Sequence, residues 1–252
     1  MIPLADSIPS RCFPKVTYGL IAANALVFLL EFRLDPDTLQ ALIYALGVVP
    51  DRAALPVGLQ GPQVPGWSLA TLVTSQFLHG GVLHLLGNMW TLWIFGDNVE
   101  DRLGPWRYLL FYLCCGAIAG FVHATITHGS VVPTVGASGA ISGIMGAYFV
   151  LFPTSRLVML VPILFIPLFF VVPAQVFLLL WLGLQLWSGA SESLGGQQVS
   201  NIAFWAHVGG FAAGILLLLL FLPGTGRRCL QPDEFGRESA WLPKGRRSSR
   251  YR

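Results

Sequence analysis

The chain has 252 residues, of which 54% are hydrophobic and 11% charged, with a formal net charge of +3. Soluble domains carry about 25% charged residues, so this composition excludes a soluble globule. The weak alternating pattern of an outer-membrane barrel is also missing, which leaves a helical membrane protein.

In chain order, a polar segment at 1–16 precedes a first apolar run at 17–31. Arg11 and Lys15 stand before this run and further spans follow it, so it reads as a signal anchor that stays in the protein. A long outside segment follows at 32–81, with an amphipathic stretch around Leu39 to Leu46 and a Pro/Gly-rich part from Pro56 to Trp67. Part of it is expected to lie in the membrane interface. Apolar runs at 82–97, 108–127, 137–152, 173–188 and 202–222 bring the total to six. Runs of roughly 15 to 25 residues suffice to cross hydrocarbon about 30 Å thick. The apolar stretch at 157–170 is expected either to belong to the fifth span or to form a re-entrant piece before it. Ser188 to Gly196 reads as a mobile outside loop, and the basic tail at 223–252 as poorly ordered. The predicted fold class is therefore an all-α polytopic membrane protein, a six-helix bundle at 17–222 between two terminal segments.

Lys and Arg concentrate on the cytoplasmic side of membrane proteins. With the N-terminus inside, 13 of the 15 basic residues fall on that side, and only Arg33 and Arg52 fall outside. Both termini are thus predicted to be cytoplasmic. The basic tail from Arg227 onward is better explained by an anionic leaflet than by nucleic acid.

Polar groups are expensive in hydrocarbon, so those that interrupt spans carry the functional signal. His84 and Asn88, four apart in the second span, share a helix face. Ser138 opens the fourth span in Gly136-Ala137-Ser138-Gly139-Ala140, and His207 lies in the sixth in Ala206-His207-Val208-Gly209-Gly210. Spans two, four and six run in the same direction, which puts all four residues in the outer half of the membrane. The helix after Ser138 is about 20 Å long at 1.5 Å per residue, so it starts within the membrane, reached through a dipping loop at 125–134. A serine needs a base to become a nucleophile, and histidine is the usual one. A tetrahedral oxyanion needs preplaced donors, which Asn88, His84 and the backbone amides opening the Ser138 helix offer. Gly139, Gly143 and Gly146 on one helix, with Gly210 and Gly214 on the other, allow the close approach that a Ser138–His207 pair requires.

Each residue also has a plainer explanation. Ser138 suits a helix N-cap, His207 a packing histidine, and Asn88 an interhelical hydrogen-bonding group. His79 and His84 are five apart, which does not put both on one face, and no Glu follows as in a zinc-protease helix. No metal site or cofactor is expected.

Together, His79-x4-His84-x3-Asn88, Gly136-Ala137-Ser138-Gly139, Ala206-His207-x2-Gly210 and Gly96-x3-Glu100-x3-Gly104 resemble the rhomboid intramembrane serine proteases over most of residues 70–222. The resemblance implies Ser138 as nucleophile, His207 as base, and His84 and Asn88 lining the oxyanion hole. It implies no third acid, and spans four to six hold none. Some members carry an aromatic residue one turn after the nucleophile, stacked on the histidine; here that position is Ser142. The Trp-Arg pair of some members is absent, since Ser68 follows Trp67.

The expected activity is endoproteolysis of single-pass or polytopic membrane proteins near the outer face, in a bacterial inner membrane. The fifth span, preceded by Pro162, Pro167 and Pro173, is expected to follow a mobile gate segment. An inactive relative that binds transmembrane helices is the main alternative. A channel or transporter is the second, but the paired broken half-helices of that class are not visible.

Overall fold

The computed structural model describes residues 2–10, 12–53, 70–163, 166–195 and 202–222. The Pro/Gly-rich part from Pro56 to Trp67, the Trp67-Ser68 position and the basic tail lie outside the described residues. Helices occupy each of the six apolar runs: α1 (Lys15–Glu31), α5 (Val82–Leu103), α6 (Pro105–Ile126), α7 (Ser138–Leu151), α8 (Ala174–Gly195) and α9 (Phe204–Phe221). Between α1 and α5 lie α2 (Pro36–Leu46) and two single turns, α3 (Pro50–Ala53) and α4 (Thr71–Thr74). The amphipathic stretch found in the sequence is α2, capped by Asp35, whose carboxylate accepts from the Thr38 amide at 3.0 Å. Among the described residues α6, α8 and α9 are long and apolar enough to cross a membrane, and α7 is a shorter apolar helix.

The helices bury aromatic, aliphatic and a few polar side chains between them and leave many further apolar side chains on the outside. Leu92, Phe95, Tyr108, Phe111, Tyr112, Ile144 and Tyr148 are fully buried between α5, α6 and α7. Leu83, Leu184, Leu194, Leu216, Leu219 and Leu220 point outward and are exposed. An exterior of that kind is stable against lipid rather than water.

The Gly96-x3-Glu100-x3-Gly104 run organises one end of the bundle. Glu100 accepts from the Val16 amide at 3.0 Å and from the Thr17 amide and hydroxyl at 2.8 and 2.9 Å. It thereby satisfies donors at the start of α1 that have no partner in their own helix. Gly104, at φ 79°, ends α5 and starts α6 in a backbone conformation that side chains disfavour, and Pro105 follows at the first helical position.

Two expectations fail here. The apolar stretch at 157–170 does not join the fifth helix: its described residues form two paired strands. Its strands β2 (Arg156–Ile163) and β3 (Ile166–Pro173) pair antiparallel, and the N-terminal strand β1 (Ile2–Asp6) adds to the outer side of β2. The all-α fold class is corrected accordingly: a three-stranded sheet adjoins the bundle. Pro162 and Pro167 face one another at the tip of the hairpin, beyond the register of β1, where their missing amides break no ladder with it. The segment expected as a mobile gate is thus a pair of strands, and β1, paired to β2, is held to α5 by a hydrogen bond from the Trp90 indole to Pro3 O at 2.6 Å. Second, the outside loop read at Ser188 to Gly196 is helical through Gly195, because α8 runs on for two further turns.

Candidate functional site

All four predicted site residues lie at one end of the bundle. Ser138 is the first residue of α7, His207 the fourth of α9, and His84 and Asn88 the third and seventh of α5. The N-cap of α7 is Ala137, so Ser138 is not the cap and makes no capping hydrogen bond. Its side chain stands at the N-terminal, positive dipole end of the helix, where the first amides have no partner in their own helix.

Glycines bring α7 and α9 into backbone contact. A methyl group at Gly210 would overlap the carbonyl oxygen of Gly139, one at Gly214 that of Gly143, and one at Gly146 that of Phe211. Gly139, next to Ser138, also faces Ala206, next to His207. The serine and histidine are therefore carried by turns in direct contact, although no hydrogen bond joins their side chains among the described residues.

His84 and Asn88 approach from α5. A methyl at Gly136, two residues before Ser138, would come within 2.8 Å of the His84 ring and 3.6 Å of Asn88 Nδ2. Gly136 has φ 129°, and its amide donates to Ser75 O at 2.9 Å, so both its conformation and its lack of a side chain are required here. Asn88 is buried and its Nδ2 has no partner, a donor held unused beside Gly136. A small cavity next to Ser138 is lined by Ser75, Gln76, Gly136, Ala203 and Ala206.

Other polar groups stand near the site, of which the sequence had singled out only His79. Gln76 donates to Leu72 O at 2.7 Å, while its own Oε1 is buried without a partner on the cavity wall. His79 stacks edge-on against His84 at 5.2 Å, and its amide donates to Glu31 at 3.3 Å. From α8, Gln185 Oε1 lies 2.8 Å from His207 Nδ1, and Trp181 packs on the same imidazole at 5.8 Å between ring centroids. The signal for Gln185 was present, a polar residue interrupting an apolar span.

Small residues where two helices touch, a helix starting at a serine within the bundle, and a histidine opposite it define the rhomboid class. Residues 66–224 match the Rhomboid domain, and the chain belongs to the rhomboid family. It is 31% identical over 157 residues to the mouse presenilin-associated rhomboid-like protein, mitochondrial, covering 62% of this chain and 37% of that protein. It is 33% identical over 163 residues to the Arabidopsis thaliana RHOMBOID-like protein 6, mitochondrial, covering 62% of this chain and 45% of that one. It is also 32% identical over 169 residues to the Arabidopsis RHOMBOID-like protein 4, covering 64% and 36%. The chain thus spans less than half the length of these relatives. The expected bacterial inner membrane does not stand, because relatives from both mouse and plant are mitochondrial by name. Apolar content alone identifies a bilayer but carries no address. The integral membrane character of the chain stands.

Proposed function

We propose that this chain is an intramembrane serine endopeptidase that cuts transmembrane segments of single-pass or polytopic membrane proteins with a Ser138–His207 dyad. The observation that carries the reading is the convergence at one bundle end. Ser138 opens α7 against the turn of α9 that bears His207, and Asn88 Nδ2 waits unpartnered beside Gly136. In this reading Ser138 Oγ attacks the scissile carbonyl as His207 takes its proton. Asn88, His84 and the first amides of α7 donate to the oxyanion. The leaving amine takes the proton from His207, and water then hydrolyses the acyl-serine. The serine–histidine hydrogen bond is expected to tighten only with substrate bound. No cofactor takes part in these steps.

The six helices α1 and α5 to α9 are read as the spans of one catalytic domain at 17–222. Both termini lie on the side that holds 13 of the 15 basic residues. Ser138 then sits near the opposite face, at the depth where the outer third of a substrate helix enters. A helical peptide bond is shielded by its own hydrogen bonds, so a cleavable span should carry Gly, Pro or another weak helix former there. The Ala and Gly lining favours small side chains on the acyl side of the cut.

The test is labelling of detergent-purified protein with a serine-reactive fluorophosphonate, followed by mass spectrometry of products from a model single-pass substrate. Ser138→Ala should abolish labelling and His207→Ala should strongly reduce it. Equal labelling of the His207 variant would sink the dyad. A wild-type protein that binds transmembrane helices but neither labels nor cuts would instead be an inactive helix-binding rhomboid.

A further inference from the structure

We propose that Gln185 is the positioning residue for the His207 base, holding the proton of the neutral imidazole on Nδ1 so that Nε2 is the nitrogen that faces the nucleophile. The inference rests on the protease reading for its catalytic consequence, but not for the tautomer itself.

A neutral imidazole carries one proton, and the hydrogen bond made by one ring nitrogen decides which nitrogen is free. Gln185 Oε1 is an acceptor only, and it lies 2.8 Å from His207 Nδ1. The contact is satisfied when Nδ1 donates, which leaves the Nε2 lone pair to take the serine proton. The opposite orientation of the amide would put Nε2–H of Gln185 against Nδ1 and move the histidine proton to its own Nε2. That ring could not act as a base toward Ser138.

The ring is also held in its plane from α8. Trp181, one turn before Gln185, packs on the imidazole at 5.8 Å with 34° between planes, and packs on Phe211 at 6.3 Å. Phe211 is one turn after His207, so two pairs spaced by four residues interlock between α8 and α9. The other flank supplies nothing equivalent. Ser142, one turn after Ser138, is buried and turns its hydroxyl back to Ser138 O at 2.7 Å. The base is thus oriented from α8 rather than from the helix that carries Ser138, and a displacement of α8 would release the histidine.

The test uses full-length protein with ¹⁵N-labelled histidine, purified in detergent. Removing His207 by His207→Ala identifies its ring signals among those of the five histidines. Wild type should show Nδ1–H and a bare Nε2. Gln185→Met, similar in shape without the acceptor, should shift the ring toward Nε2–H, and Gln185→Glu should retain Nδ1–H. In parallel, Gln185→Met should lower kcat on the model substrate by roughly tenfold to a hundredfold with KM unchanged, and Gln185→Glu should restore it. That loss falls short of the about ten-thousandfold cost of a firmly held wrong tautomer, because a freed ring still samples the right one. An Nε2–H ring in wild type, or a tautomer indifferent to Gln185→Met, overturns the proposal. Should the Met variant misfold, the wild-type spectrum alone decides. An Nδ1–H ring in a protein that neither labels nor cuts would support the positioning contact and overturn the protease reading alone.

Discussion

Gly210→Ala should disable the site without touching any group proposed to react. Gly210 stands one turn from His207 on α9, where its Cα faces the backbone carbonyl of Gly139. A methyl there overlaps that oxygen, whereas ordinary van der Waals contact begins near 3.4 Å. The obstacle is backbone, so no rotamer relieves it and the helices must part. A separation of about 1 Å between nucleophile and base is enough to lower turnover by about a hundredfold. The overpacking itself costs about 1–3 kcal/mol of stability, which the bundle can absorb and remain folded. The control is Gly183→Ala on α8, where an added methyl meets nothing within 4 Å. It should leave activity unchanged and add up to about 1 kcal/mol through helix propensity. Cleavage of a model single-pass substrate in liposomes, with thermal unfolding of both variants, reads the two effects separately. Wild-type turnover in a folded Gly210→Ala protein would show that α7–α9 backbone contact does not set the reacting geometry.

Three further outcomes are expected. Asn88→Ala should lower turnover by about tenfold to a thousandfold, as loss of one oxyanion donor does, with fluorophosphonate access to Ser138 largely intact; an unchanged rate would make Asn88 structural. Glu100→Ala should lower stability by roughly 2–4 kcal/mol, because it strips the acceptor from two amides and one hydroxyl at the start of α1, and a thermal midpoint within error of wild type would refute this. Asp6 accepts from the Tyr148 hydroxyl at 2.6 Å and Asn98 Nδ2 at 2.9 Å, and burial pushes its carboxyl up to about 7, against the lowering effect of the Tyr148 bond. With the folded value above the unfolded one, its contribution to docking of β1 is full below about pH 4 and lost as pH rises through about 7. Hydrogen-exchange protection of β1, corrected for intrinsic rates, should therefore fall between pH 5 and 8 in wild type and stay flat in Asp6→Asn.

Much of this architecture was legible in the chain because hydrocarbon imposes a severe filter. A run such as Phe204–Phe221 has few alternatives to an apolar helix, and a serine or histidine inside such a run must be compensated by its surroundings. The glycines announced close helix approach, and the positions of Ser138, His207, His84 and Asn88 near the starts of their helices pointed to one end of the bundle. The sheet was not legible. Residues 157–170 are continuously apolar, a pattern shared by buried strands and helices, and what makes them strands is pairing, including that of Ile2–Asp6 with a partner some 150 residues away. The partner of His207 was hidden for a related reason. Gln185 and Trp181 stand out as polar and aromatic interruptions of an apolar run, but which way they face depends on how α8 is rotated against α9. Rotation follows from the packing of whole helices against one another, a tertiary property that no local pattern along a single span encodes.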